Sequence, residues 1–333
     1  HAKGMYVGRW FKGKEGQADG AEPCEDVAGD ADMSTRIRTE AEAQAIENDI
    51  QGRPGVVLTV DKENKEDRPP LLFSLTTLQQ EANRHFGFSA QKTLDIAQQL
   101  YEEKHVLSYP RTEAQHLNEE MATQCQEILR KLTRSGVPFD LNKCTVSGKN
   151  KRVFDSSKLT DHYALIPLGV ASGLNSDQAK VFELVARRFI AAFYPGYKYK
   201  TTKVITGVGE HRFLSQGKMV IDPGWKAVWG SMEKDTEIPA LASKDPVKVE
   251  KVETEAKKTM PPPRYTDASI LAAMANAARF VTDAELKKIL KETSGLGTPA
   301  TRAGIIQTLI DRKYVERNKK HLIPTGKGLH LIQ

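Results

Sequence analysis

The sequence predicts an α+β protein of several domains, in which a β-rich region is interrupted by a helical one and followed by a helical module with a basic hairpin. Three observations predict it. β-type patterning at Gly55–Val60 returns only after residue 197, and helical periodicity fills Phe73–Tyr194 between the two. Later, Thr298-Pro299 opens a helix that leads into the charged segment Lys313–Pro324. The expected boundaries are 1–68 and 195–256 for a discontinuous β domain, 69–194 for the helical domain and 257–333 for the last module.

In chain order, Met5–Trp10 reads as a strand, and apolar periodicity is then lost between Lys12 and Ser34, a Gly-, Asp- and Glu-rich stretch expected to be a mobile loop. A polar helix is expected over about Thr35–Ile50. Residues 61–70 are charged and close on Arg68-Pro-Pro70, where a boundary is expected. Leu94, Ala97, Leu100 and Tyr101 share a helix face behind a cap at Ser89. Met121, Cys125, Ile128, Leu129 and Leu132 share another, capped near Asn118, and Cys125 reads there as a core residue. Val181, Leu184, Val185 and Phe189 line a helix over 177–193. β character resumes at Tyr199–Ile205, His211–Phe213 and Val247–Val252. Beyond the linker Met260–Pro263, helices are expected from Thr266, Thr282 and Thr298. The last has threonine at its cap and proline in its first turn. A helix followed by a basic hairpin suggests a winged-helix-like module.

Composition narrows the class. With 333 residues, 39% of them hydrophobic, the chain has room for two or three cores. It has no apolar run near ~18 residues and no signal peptide, which reads as a soluble protein without a membrane partner. The three cysteines, Cys24, Cys125 and Cys144, are odd in number and far apart, so neither a disulfide framework nor a zinc site is expected, and a reducing cytoplasm fits. A net charge of +6 and a pI of about 9.0 favour a polyanionic partner. The chain opens at His1, inside the expected strand, and reads as part of a longer protein.

The strongest chemical signal is Ser108-Tyr-Pro-Arg-Thr-Glu113, expected to follow a helix and a short strand, His105–Ser108. Pro110 disfavours helix at Tyr109, and in an extended chain Tyr109, Arg111 and Glu113 project to one side. A phenol titrates near ~10, so as a nucleophile toward a phosphodiester it needs nearby positive charge. Arg111 supplies one, with a donor fork that matches phosphate. On these grounds alone a buried structural tyrosine is the better reading, and His162 reads as a core histidine.

Further blocks accompany that motif: Pro70–Gln79, Phe86–Asp95, Leu100-Tyr-Glu102, Thr160-Asp-His-Tyr-Ala-Leu-Ile-Pro167, Pro262–Ala268 and Gly295-Leu-Gly-Thr-Pro-Ala-Thr-Arg-Ala-Gly304. In content and order they resemble the type IA DNA topoisomerases of the topoisomerase III kind, over roughly residues 55–333. The resemblance implies a β-rich arch interrupted by the helical domain that carries the catalytic tyrosine, then a DNA-binding helical domain. It implies that Tyr109 forms a 5′-phosphotyrosyl link while single-stranded DNA is cut and resealed, allowing strand passage in relaxation or decatenation. Arg111 would contact the scissile phosphate, and His162 would bond near it or position the tyrosine's partners. Glu113, where the family often has aspartate, would help orient the site. Thr301 and Arg302, in the first turn of a helix, would contact the DNA backbone. Thr298 and Arg264 belong to the same DNA-binding blocks. Relaxation-specialised members usually carry arginine where Thr298 stands, which points to the topoisomerase III branch.

The family also uses a Toprim domain whose acids bind Mg2+. The Asp30-Ala-Asp32 pair lacks the third acid and the βαβ setting, so no metal site is expected here, and Mg2+ would come with a Toprim domain of the same polypeptide. Without that domain the chain is expected to be inactive. A helicase partner and a bacterial nucleoid or plasmid setting are further implications. Lys287, Lys288 and Lys291, with Arg312, Lys313, Arg317, Lys319 and Lys320, read equally as phosphate contacts or as solvated faces. Ser147-Gly-Lys-Asn150 lacks the spacing and hydroxyl of a Walker loop. A tyrosine recombinase would show His-x-x-Arg and a relaxase His-hydrophobic-His, and none of the eight histidines begins either pattern. The non-enzymatic alternative is a single-stranded DNA-binding module.

Overall fold

The computed structural model describes residues 4–12, 36–159, 161–230, 234–293 and 295–333. Cys24, the Asp30-Ala-Asp32 pair, the expected loop up to Ser34 and Thr160 of the histidine block lie outside the described residues. The chain divides into two compact units: His1–Asp67, Tyr197–Pro223 and Met232–Pro262 form the first, and Arg68–Gly196, Gly224–Ser231 and Pro263–Gln333 the second.

The first unit contains β1 (Arg9–Phe11), α1 (Glu40–Ile50), β2 (Pro54–Asp67), β3 (Tyr197–Val208), β4 (His211–Asp222) and β5 (Pro246–Lys248). They build one antiparallel sheet in the order β1-β4-β3-β2-β5. Its core is small: Val57, Val204 and Leu241, flanked by Tyr6, Val60, Ile238 and Val247. The expected strand from Met5 starts only at Arg9, and the one expected over 247–252 is confined to Pro246–Lys248. β2 departs furthest from its sequence pattern, because it runs on past Val60 through the charged residues as far as Asp67. Asp61 faces Lys203 and Glu66 faces Lys198 across the β2–β3 pair. Opposite charges directly across a ladder are favourable, and the backbone bonds need no apolar alternation.

The second unit carries α2 (Leu75–Phe86), α3 (Ala90–Glu102), α4 (Ala122–Leu132), α5 (Ser176–Ala192), α6 (Asp267–Ala275), α7 (Ala284–Glu292), α8 (Pro299–Asp311), β6 (Val315–Asn318), β7 (His321–Pro324) and α9 (Gly326–Leu331). Local side chains start most of these helices. Ser89 accepts from Lys92 N, Asn118 from Met121 N at the short 3₁₀ turn before α4, and Thr266 from Ser269 N. Each cap satisfies an amide that would otherwise lack a partner, worth about 1 kcal/mol. α7 is capped by Asp283, one residue beyond the threonine expected to open it. The expected strand His105–Ser108 reduces to a single bridge, Leu107 to Pro167.

The main core gathers α2 to α5 around Phe73, Leu100, Leu107, Cys125, Phe154 and Phe189. Cys125 is fully buried, and burial pushes its thiol up to about 12, so it is an inert core group. A second cluster packs α6 and α8 on α2 and α3 through Leu75, Leu94, Leu271, Met274 and Ile306. Polar bonds add to it. Ala268 N donates to Asn83 Oδ1 at 3.1 Å, and Ala90 N donates to Asp267 Oδ1 at 3.0 Å. Residues 263–333 are thereby part of the same compact unit as 68–196.

Candidate active site

Tyr109 lies on a segment without regular secondary structure that is nonetheless tightly held. Ser108 anchors it: its amide donates to Ile166 O at 3.0 Å, its hydroxyl donates to Ala164 O at 3.2 Å, and that hydroxyl accepts from Ile166 N at 2.9 Å. Leu165 N in turn donates to Phe73 O at 2.8 Å, and Leu75 N donates to Thr112 O at 3.0 Å. Three sequence blocks far apart in the chain are thus laced together by backbone bonds. Burial alternates along the segment as the spacing predicts. Ser108, Pro110, Thr112 and Ala114 face inward, Tyr109 is half-buried, and Arg111 and Glu113 are exposed.

His162 stands over Tyr109, with ring centroids 4.5 Å apart and planes tilted by 45°. Tyr101 of α3 meets the same phenol edge-on at 5.5 Å. Such offset and edge contacts suit aromatic quadrupoles, and they fix the direction of the ring. Tyr163 lies beside this group; burial raises its phenol, and Tyr101 and Cys125 add to the rise. Arg111 donates from Nε to Gln98 Oε1 at 3.3 Å, while Gln98 Nε2 donates to Glu102 Oε1 at 2.6 Å. The bond to Gln98 uses the inner nitrogen of the guanidinium and leaves the terminal fork for an anion. Gln98 is the residue that sequence reasoning missed. Its signal was modest: it lies one helical turn before Glu102, inside the helix that ends in the Leu100-Tyr-Glu block.

Glu113 and Arg302 connect this segment to α8. Arg302 is 3% exposed, with Nε donating to Leu296 O at 3.1 Å and Nη1 donating to the Thr76 hydroxyl at 3.2 Å. Burial lowers its affinity for a proton and the Glu113 carboxylate opposes that, so the two charges sense each other. Arg302 therefore bridges α8 to α2 instead of standing in solvent. Thr298 and Thr301 close the start of α8 on themselves: Thr298 N donates to Thr301 Oγ1 at 2.9 Å, and the Thr301 hydroxyl bonds Thr298 O at 3.1 Å. Both remain exposed. Gly295, just before, has φ +85°, and a Cβ there would sit 2.2 Å from Met274 O, so only glycine fits.

The other basic residues separate by environment. Lys287, Lys288 and Lys291 are exposed on α7, and Arg264 is exposed ahead of α6. Arg317 is held by the buried Asp267 in a two-pronged ion pair, with Nη2 on Oδ1 at 2.9 Å and Nη1 on Oδ2. Among the described residues no group of three His, Cys, Asp or Glu side chains is arranged to hold a metal ion. These residues do not fit a magnesium site. No described helix is long and apolar enough to cross a membrane.

A family model described as DNA topoisomerase matches residues 13–333. DNA topoisomerase 3 of Salmonella typhimurium is 34% identical over 322 residues, covering 95% of this chain and 49% of that protein. DNA topoisomerase 3 of Bacillus subtilis is 34% identical over 299 residues, covering 85% and 41%. Among solved structures, full-length topoisomerase I from Thermotoga maritima superposes with a TM-score of 0.67 at 26% identity, covering 90% of this chain and 47% of that one. The chain thus spans about half the length of these relatives. It belongs to the type IA DNA topoisomerase family and is similar to that family's topoisomerase III members.

Proposed function

We propose that this chain is the strand-cleaving and strand-holding part of a topoisomerase III-like enzyme, with Tyr109 as its nucleophile. One observation carries the reading. The Tyr109 ring packs on His162, two residues before Arg111 in the chain, on a segment that Ser108 locks to residues 164–166. In the reaction, the Tyr109 phenolic oxygen attacks a phosphorus of single-stranded DNA. The P–O3′ bond breaks, a 5′-phosphotyrosyl bond forms, and the released 3′ oxygen takes up a proton as the phenol gives one up. Reversal reseals the strand without a nucleotide, because the phosphotyrosyl bond conserves the energy of the broken link. Arg111 offsets charge on the non-bridging oxygens, where preorganised donors contribute most. His162, exposed and against the phenol, bonds at the scissile phosphate. Glu113 keeps Arg302 and α8 in place beside the cut.

Residues 263–333 would hold the strand. α8 followed by the β6–β7 hairpin supports a winged-helix-like reading, and exposed Lys287, Lys288 and Arg264 offer phosphate contacts. Strand binding without cleavage is the second reading for this chain taken alone. The acidic, magnesium-binding part of the reaction is assigned to a Toprim domain.

The test is to combine the chain with a Toprim domain of a topoisomerase 3 relative, magnesium and a 3′-labelled single strand. A labelled covalent adduct is expected with the native chain and none with Tyr109→Phe. No adduct with the native chain, or equal adduct with Tyr109→Phe, refutes the assignment.

A further inference from the structure

The loop between α4 and α5 holds an open depression of about 330 Å³ that shares no residue with the Tyr109 cluster. Its polar walls are Arg68, Lys143, Arg152, Thr145, Ser147 and Asn150, and no carboxylate lines it. The volume is at the lower end of ligand-sized cavities, which run from about 300 to 1,000 Å³. The walls are built. Arg152 donates from Nε to Pro69 O at 2.8 Å, Thr145 N donates to Phe193 O at 2.8 Å, and the turn at 147–150 closes through Asn150 N to Ser147 O at 2.9 Å. Neighbouring Lys151 is engaged by Glu119 at 2.6 Å, whereas Arg68, Lys143 and Arg152 form no ion pair among the described residues. Three cations thus converge without a counter-charge, next to two hydroxyls.

We propose that this depression is a second phosphate-binding site, which takes a backbone phosphate of a DNA strand. Two features select a strand over a free nucleotide. Arg68, Lys143, Thr145 and Ser147 stay exposed, whereas a small ligand is normally enclosed over most of its surface. The aromatic floor, Phe193 and Tyr194, is buried and presents no free face for stacking a base. Phosphate recognition by lysine, arginine and hydroxyls is what remains. Ser147-Gly-Lys-Asn150, unlike a Walker loop in spacing, contributes a wall to this site. The inference rests on the reading of the chain as a DNA-handling enzyme, but not on Tyr109 chemistry.

The experiment uses the whole 333-residue chain. Amide hydrogen exchange is followed with a single-stranded oligonucleotide, with inorganic pyrophosphate and with a mononucleotide. The strand is expected to protect residues 143–152 in the native chain and not in the Arg68→Gln/Lys143→Gln double variant, whose exposed side chains leave thermal stability unchanged. The salt slope of strand affinity should fall by about 1.4 in that variant, at about 0.7 per single-strand phosphate contact. Protection of residues 107–113 without any at 143–152 overturns the second site and leaves the Tyr109 reading standing. Protection at 143–152 by pyrophosphate or mononucleotide but not by the strand, or an unchanged slope in the variant, also overturns it. Protection at 143–152 in a chain that forms no Tyr109 adduct even when combined with a Toprim domain and magnesium overturns the nucleophile assignment alone.

Discussion

At the scale of single residues, Arg111 depends on how its guanidinium is turned. The Nε bond to Gln98 fixes the plane of the fork, and Glu102 fixes Gln98 by accepting from its amide nitrogen, so that Oε1 faces the arginine. Gln98 is then a positioning residue, acting on phosphate through Arg111. Hydrogen bonds to a charged group contribute about 1.5–3 kcal/mol when buried, and less in this exposed setting. Gln98→Leu, tested in the adduct assay, should slow adduct formation about fivefold, the equivalent of about 1 kcal/mol. Strand affinity should stay unchanged, and Gln98→Asn, which keeps both the acceptor and the donor, should recover part of the rate. An unchanged rate in Gln98→Leu removes Gln98 from the site. The alternating burial of the Tyr109 segment was legible in the sequence because proline and spacing mark it, while the role given to Tyr109 came from the resemblance. Gln98 was not legible, because its partner lies thirteen positions away on a non-helical stretch. Arg302 was expected in the first turn of a helix and facing DNA; its burial on Thr76, 226 positions earlier, was not legible.

Among the elements, the segment from Leu107 to Leu117 has no ladder or helix of its own and relies on neighbours. Ala164 N donates to His116 O, and Leu117 N donates to Val153 O at 2.8 Å. His116 is buried, and burial lowers its pKa. Lys158 and Arg152 lower it further, while Asp155 opposes them. The folded chain therefore prefers His116 neutral. The stability this contributes is fully present above the unfolded pKa near ~6.5 and is lost as pH falls through the folded value. Glu119 is held down to about 2 by Lys151 and Ser156, so its ionisation does not change across that window. Melting temperature should fall between about pH 7.5 and 5 in the native chain. His116→Gln should flatten that fall, and an equally steep profile in the variant shows that another group is responsible. Helix starts were the most legible elements, since Ser89, Asn118, Thr266 and Thr298 act within their own first turn. The charged half of β2 was illegible because its stabilising partners, Lys198 and Lys203, lie on a strand some 140 residues later.

For the molecule as a whole, residues 263–333 are joined to the helices of 68–196 by more than apolar packing. Asp267, 0% exposed, accepts from Ala90 N and binds Arg317 of the hairpin in a two-pronged pair. One carboxylate thus ties together the starts of α3 and α6 and strand β6. A buried pair does not by itself imply net stability, because desolvation offsets attraction, but breaking it strands a buried charge or donor. Asp267→Ala should lower unfolding stability by about 3–5 kcal/mol, read by urea titration, and should speed amide exchange in α6 and β6 before the α4–α5 core. The decisive comparison adds Arg317→Met. With no cation left unpaired, the double variant should regain part of the loss, giving a coupling of at least about 1 kcal/mol. Equal loss in the single and double variants would mean that the Ala90 amide, and not the ion pair, makes Asp267 necessary. The sequence could not show this junction, because Asp267 looks like an ordinary first-turn acid and Arg317 like a hairpin cation until the fold brings them together.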